Sequence, residues 1–358
     1  MTTYNKGWKK SKELIPQCTP IRNIEVDWKL YKQLLSYRTH SLDEIAQEEF
    51  TRFLIDHIHN WNMDIEMEID KAGNLYITKG IGPLYPCIVA HQDINQDEEV
   101  TDIEIIQTSK LIIGLDKDTG KQCGLGHDDK AGLYFLLHCL KTMDNIKGLI
   151  TTNEEIGAVG ASEVDMLFFK DCSFLIQGDR NIKKGLDVSD YTNGIEVVSL
   201  DFERYSKQIL DKYGYKYTTC LFTDIGELVH QGCGISAINF GIGYGNEHFE
   251  DEYLSIPHFI NALAFGEDLI NHMRHKKWKH SPYIKQYKSK KQKNHYVPGW
   301  KFTEGDKRYI EDSLAIGECP MCMSNKFTEM YNGAKECEHC GAIWNIPEEI
   351  TDFEELLY

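Results

Sequence analysis

No apolar run in this 358-residue chain is long enough to span a bilayer. The amino-terminal stretch MTTYNKGWKKSKELIPQC has no apolar segment of the signal-peptide kind. The expectation is a soluble, cytoplasmic protein with no membrane partner. Positive charge is also scarce, with 39 Lys and Arg against 56 Asp and Glu and a net charge of −17. That balance excludes nucleic-acid binding through the whole surface. There is no internal repeat. A chain of this length can bury a large core, as one big domain with a smaller appendage or as two domains.

A disulfide framework is the next absence. Seven of the 11 cysteines (Cys18, Cys87, Cys123, Cys139, Cys172, Cys220 and Cys233) are scattered among apolar neighbours, the habit of free thiols in a reducing compartment. The other four form two C-x2-C pairs, Cys319 with Cys322 and Cys337 with Cys340, separated by fourteen residues. That spacing predicts a zinc ribbon in which four thiolates hold one tetrahedral ion. A module of this size needs the metal for its folding energy.

Between about residues 25 and 275, short apolar runs (NLYITKG, PCIVAHQD, IKGLITTNEE, CSFLIQGD, GIEVVSL, YTTCLFTD, ISAINFGIGYG) alternate with helical patterns at 42–59, 129–143, 202–213 and 255–273. The alternation predicts an α/β layer structure with its site at the strand ends. Residues 274–301 then hold ten Lys or Arg and no acid. The organisation read from this is a catalytic domain over 1–275, a basic linker over 276–305 and the zinc-ribbon module over 306–358.

The run GLGHDDKAG at 124–132 sets two adjacent aspartates in a glycine-bounded turn ahead of the apolar AGLYFLLHCL. Carboxylates at the mouth of a packed helix cost desolvation free energy unless something positive compensates them. CIVAHQD ends an apolar strand with His91 and Asp93 on one face of an extended segment. LITTNEEIGAVGA ends another with Glu154 and Glu155, FLIQGDR ends a third with Asp179, and INFGIGYGNEHFEDE delivers His248. Three carboxylates meeting on a single dication would overcharge it and repel one another. Two zinc ions leave a residual positive charge to stabilise a bridging hydroxide, so a two-metal centre on His91, Asp128, Glu155, Asp179 and His248 balances its charges. Asp128 would share its two oxygens between the ions. Cobalt or manganese are acceptable substitutes at mixed N/O sites.

His91-x-Asp93, GHDDKAG, TNEEIGAVGA, Asp179 and His248, in this order, resemble the motifs of the co-catalytic dizinc exopeptidases, peptidase T and its aminopeptidase and carboxypeptidase relatives. DKAGNLYITKG and FTDIGEL are similar to that superfamily as well, and the resemblance spans roughly residues 40–272. It implies a three-layer zinc-exopeptidase (phosphorylase/hydrolase-like) fold with a mixed central sheet. It implies that His91 and Asp179 complete one metal site, and Glu155 and His248 the other. Asp93 would accept the second ring N–H of His91. Glu154 would be the general base, taking a proton from the bridging water and delivering it to the leaving amine. A cis peptide between Asp128 and Asp129 is also implied. Asp224 either supports the site by hydrogen bonding or caps the next helix, and Lys130 is read as structural.

Peptidase T carries a lid domain between the positions matching Asp179 and His248, and here that interval of 69 positions is consumed by core-like segments. The expectation is a compact enzyme lacking the lid, with the hairpin TDIEIIQTSKLIIGLD overhanging the cleft. The function implied is metal-dependent hydrolysis of a peptide bond, as an aminopeptidase. Two alternatives stay open: an N-acyl amino-acid amidohydrolase with the same metal centre, and a non-catalytic adaptor. In the adaptor reading the arm at 274–301 and the ribbon contact nucleic acid or protein.

Overall fold

The computed structural model describes residues 18–182, 185–220 and 222–281, together with the backbone of three short strands near the carboxyl end. Its helices are α1 (Trp28–Leu35), α2 (Glu44–His59), α3 (His127–Thr142), α4 (Val159–Ser162), α5 (Leu200–Tyr213), α6 (Asp224–His230) and α7 (Ile256–Met273). The first strands are β1 (Ile65–Ile69), β2 (Leu75–Lys79), β3 (Tyr85–His91), β4 (Ile103–Gln107), β5 (Leu111–Asp116), β6 (Gln122–Cys123) and β7 (Ile146–Thr151). They are followed by β8 (Cys172–Arg180), β9 (Asp187–Thr192), β10 (Ile195–Glu196), β11 (Lys216–Thr219), β12 (Ala237–Gly241), β13 (Tyr244–Gly245) and β14 (Tyr253–Ser255).

A nine-stranded mixed sheet runs in the order β1-β2-β7-β3-β8-β12-β9-β10, with β11 paired to β9. Its middle four strands, β7, β3, β8 and β12, are parallel. Strands covered on both faces read as continuous apolar runs rather than as alternation, and β3, β7 and β12 are buried at every position. Helix α3 packs along β3, β8 and β7, and α6 packs on β12, β3 and β8. Leu133, Phe135, Leu136 and Leu140 of α3 are fully buried, in one core with Ile88 and Val89 of β3 and Leu149 of β7.

Local chemistry sets the helix ends. Asp43 caps α2 by accepting from the Ala46 N–H at 3.0 Å, and Ser199 caps α5 by accepting from Phe202 at 3.2 Å. Gly214 ends α5 at φ 78°, the left-handed conformation that glycine takes without strain. The ends of the expected helices shift by at most two residues. Three helices fall outside the expected patterns: α1, the four-residue α4 and α6.

A second sheet, β13-β14-β5-β4 with β6 on β5, contains the hairpin expected over the cleft. Leu254 of β14 pairs with Ile112 of β5, which ties this hairpin to the strand that leaves the His248 loop. Between Asp179 and His248 the chain forms β9, β10, α5, β11, α6, β12 and β13.

Three short strands, β15 (Phe327–Glu329), β16 (Lys335–Cys337) and β17 (Ile343–Trp344), pair as one antiparallel sheet. Cys319, Cys322 and Cys340 of the expected ribbon lie outside the described residues, as does the linker beyond residue 281. Cys337 ends β16. Among the described residues, no helix is long and apolar enough to cross a membrane.

Candidate metal centre

Because the central strands are parallel, their carboxyl ends share one edge. Register aligns them: His91 at the end of β3 pairs with Thr151 at the end of β7. Val89 pairs with Gln177, which brings Asp179, two residues on, level with His91. Asp128 arrives at the start of α3, where Gly126 turns the chain at φ 74° and the Asp128–Asp129 peptide is cis, as the resemblance implied. Asp128 and Asp129 keep non-helical angles before regular helix begins. Gly132 is required one turn later, because a Cβ there would collide with the Asp129 carboxylate.

The ligand atoms of His91, Asp128 and Asp179 all lie within 4.8 Å of one another, and so do those of Asp128, Glu155 and His248. Asp128 is common to both groups. Its Oδ1 is 3.1 Å from His91 Nε2 and its Oδ2 is 3.3 Å from His248 Nε2. Asp179 Oδ1 is 3.7 Å from His91 Nε2, and Glu155 Oε2 is 2.9 Å from His248 Nε2. Glu154 belongs to neither group, with Oε2 3.9 Å from His91 Nε2. His91 is fully buried, whereas the His248 side chain is 38 % exposed and forms the mouth of the centre. The structure thus gathers all six residues from five separate segments of the chain.

Electrostatics describes what this assembly needs. Burial, reinforced by the charge of Asp128, pushes Asp179 up to about 8. Burial raises Glu154 well above the usual carboxylate range, and Asp179, Asp224 and Glu155 add to it. Burial and Asp128 raise Glu155 too. Burial would do the same to Asp128, but hydrogen bonds from His248 and His91 outweigh it and hold that carboxyl far below its ordinary value. Burial works against a charged His91, yet Asp128, Asp179 and Asp93 together keep it protonated well above its normal range. His248 is lifted to about 11, burial again being outweighed by Asp128 and Glu155. Too many carboxylates therefore compete for two imidazoles, and added cations relieve the conflict. Two N,O,O donor groups sharing one carboxylate fit a pair of divalent ions.

Asp93 does more than orient a ring. His91 Nδ1 is 3.1 Å from the Asp93 carbonyl oxygen and 3.5 Å from its Oδ1, so the backbone carbonyl is the nearer acceptor. Donation from Nδ1 leaves Nε2, the nitrogen that faces Asp128, as the one that can give up its proton and offer its lone pair to a metal ion. The Asp93 carboxylate also accepts from Ser41 Oγ at 2.7 Å and from the backbone N–H groups of Glu154 at 2.9 Å and Glu155 at 3.2 Å. One residue, through its carbonyl and its carboxylate, thereby fixes the imidazole and the Glu154–Glu155 turn together. Asn153 enters that turn at φ 53° and is held by the Leu42 N–H and Gln47 Nε2.

Asp224 does not cap α6, whose N-cap is Thr223. Its Oδ2 accepts from Thr151 Oγ1 at 2.7 Å and Gln177 Nε2 at 3.2 Å beneath the strand ends. Lys130 is fully buried over the Phe50 ring, bonded to Thr39 Oγ1 and the Gln92 carbonyl, a structural role as expected.

Glu252 was not anticipated. Fully buried, it accepts from the N–H groups of Leu125 at 2.7 Å, Gly126 at 2.8 Å and Asp128 at 3.4 Å, which shapes the turn that presents Asp128. In the acidic run NEHFEDE nothing local distinguishes it from Glu250 or Asp251. Glu252→Ala should lower the unfolding free energy by about 2–5 kcal/mol, because buried donors lose their acceptor. Denaturant titration of the full chain checks this, with a lower midpoint at unchanged slope.

No protein-family model matches the sequence, and no curated protein matches it. Solved structures do. Aminopeptidase PepT from Bacillus cereus is 14 % identical, with 69 % of this chain and 97 % of that one covered at a TM-score of 0.52. A tripeptidase from Staphylococcus aureus is 12 % identical over 68 % and 96 %, TM-score 0.52. A TET aminopeptidase from a marine-sediment Thaumarchaeota archaeon is 13 % identical over 70 % and 97 %, TM-score 0.54. Across about two thirds of its length, this chain has the fold of those peptidases.

Proposed function

We propose that the chain is a metal-dependent exopeptidase that removes an amino-terminal residue from a peptide. The carrying observation is the pair of donor groups that share Asp128 while leaving Glu154 outside both. In this reading His91, Asp128 and Asp179 hold one divalent ion, and Asp128, Glu155 and His248 hold the second. When bound, the ions supply electrophilic polarisation of the scissile carbonyl and acidification of water. Glu154, 7 % exposed, takes the proton of the attacking water and passes it to the departing nitrogen. Asp93 keeps Glu154 and His91 in mutual register throughout.

The test is a panel of short peptides and N-acyl amino acids incubated with the zinc-loaded full chain. Hydrolysis should release amino-terminal residues, stop on addition of a chelator and return when zinc is restored. A chain that turns over nothing in the panel, with or without zinc, would be a binding platform and the proposal would fall.

A further inference from the structure

We infer that Glu247 receives the α-ammonium group of the substrate, so that the centre favours peptides with a free amino terminus over N-acylated ones. The inference rests on the hydrolase reading above and names the substrate end that the site recognises.

Glu247 immediately precedes His248 in the loop between β13 and β14, and it is in neither donor group. It is half-buried at the rim. Its Oε1 accepts from Asn181 Nδ2 at 2.5 Å, and Asn181 stands two residues beyond Asp179. The carboxylate is therefore anchored from both sides, through its backbone to the His248 group and through its side chain to the Asp179 group. It is near enough for Asp128 and His248 to act on it electrostatically. A carboxylate pinned in this way loses rotamer freedom before any ligand arrives, which lowers the cost of binding.

Apart from Glu154, the base of the proposed reaction, the other carboxylates around the centre that are not ligands are buried and taken up by the fold. Asp93 accepts from Ser41 and two backbone N–H groups, and Asp129 from the N–H groups of Gly132 and His91. Asp224 accepts from Thr151 and Gln177, and Glu252 from the turn at 125–128. Glu247 differs in being only half-buried, next to the exposed His248 in the chain. Arg180, next to Asn181 in the chain, donates to Thr218 Oγ1 at 3.0 Å and lies 3.8 Å from Asp187. A substrate ammonium would give the Glu247 carboxylate the charged donor that the Asn181 amide is not, and charge-assisted bonds are about twice as strong as neutral ones. An acylated terminus offers only a neutral amide there, and an anionic terminus would be repelled.

The experiment compares the zinc-loaded wild type with Glu247→Gln on trialanine and Leu-Gly-Gly and on the N-acetylated form of each. Wild type should prefer the free peptides by about tenfold or more in kcat/KM. In Glu247→Gln that preference should fall toward parity, through a loss of roughly ten- to hundred-fold on the free peptides carried mainly by KM. Zinc content measured on both proteins should be equal, which separates recognition from damage to the centre. A wild type that cleaves both series equally well, or a variant that keeps the full preference, overturns the inference while leaving the hydrolase reading intact. Failure of the wild type to cleave any of the four removes that reading and this inference with it.

Discussion

Glu154→Gln should leave the zinc content of the protein unchanged and lower kcat by about 10²–10⁴-fold, the range that a positioned general base contributes. The separation follows from geometry. Glu154 lies outside both donor groups, so its replacement removes no ligand. Gln is isosteric, and the backbone N–H of residue 154 keeps its bond to Asp93 Oδ1 at 2.9 Å. What disappears is the capacity to accept a proton, a transition-state interaction, so kcat and kcat/KM should drop together while KM changes little. Elemental analysis and steady-state kinetics on the same preparation check both halves. A kcat within about threefold of wild type would place the base elsewhere, whereas a parallel loss of zinc would make Glu154 a ligand.

How much of this was legible in the sequence depended on how local the signal was. The parallel strands β3, β7, β8 and β12 show as apolar runs because burial on both faces leaves no polar alternation. Five of the six residues of the centre show because each follows such a run, and Asp128 shows because its glycine-bounded turn precedes an apolar helix. Strand β9 was missed because DVSDYT is polar and lies next to the sheet's edge. Conversely, GIEVVSL looked like a strand throughout, but only Ile195–Glu196 pairs, since Ser199 begins α5. Leu254 meets Ile112 across more than a hundred residues, and no local pattern announces such a pairing. Ser41, Asn181 and Glu252 stayed invisible for the same reason: each matters through one long-range hydrogen bond or a few. The expectation had Asp93 accept the second ring N–H of His91, and the nearer acceptor there is its backbone carbonyl rather than its carboxylate.

Asp128→Ala tests the sharing of one carboxylate between two ions and should have the largest effect of all. Removing it leaves His91 with Asp179, and Glu155 with His248, two side chains for each ion. Neither pair has the three protein donors usual for a catalytic zinc. The zinc content should fall by about two ions per chain, and hydrolysis should drop by about four orders of magnitude or more, since polarisation and water activation go together. His248→Ala serves as the internal contrast. It strips a ligand from one group alone and should lose about one ion, because His91, Asp128 and Asp179 remain as a full set. Equal losses in the two variants would mean that the groups do not fill independently. A loss of only one ion in Asp128→Ala would show that its carboxylate serves a single site, and the charge argument that called for a pair of ions would have to be rebuilt around Glu155 and Asp179.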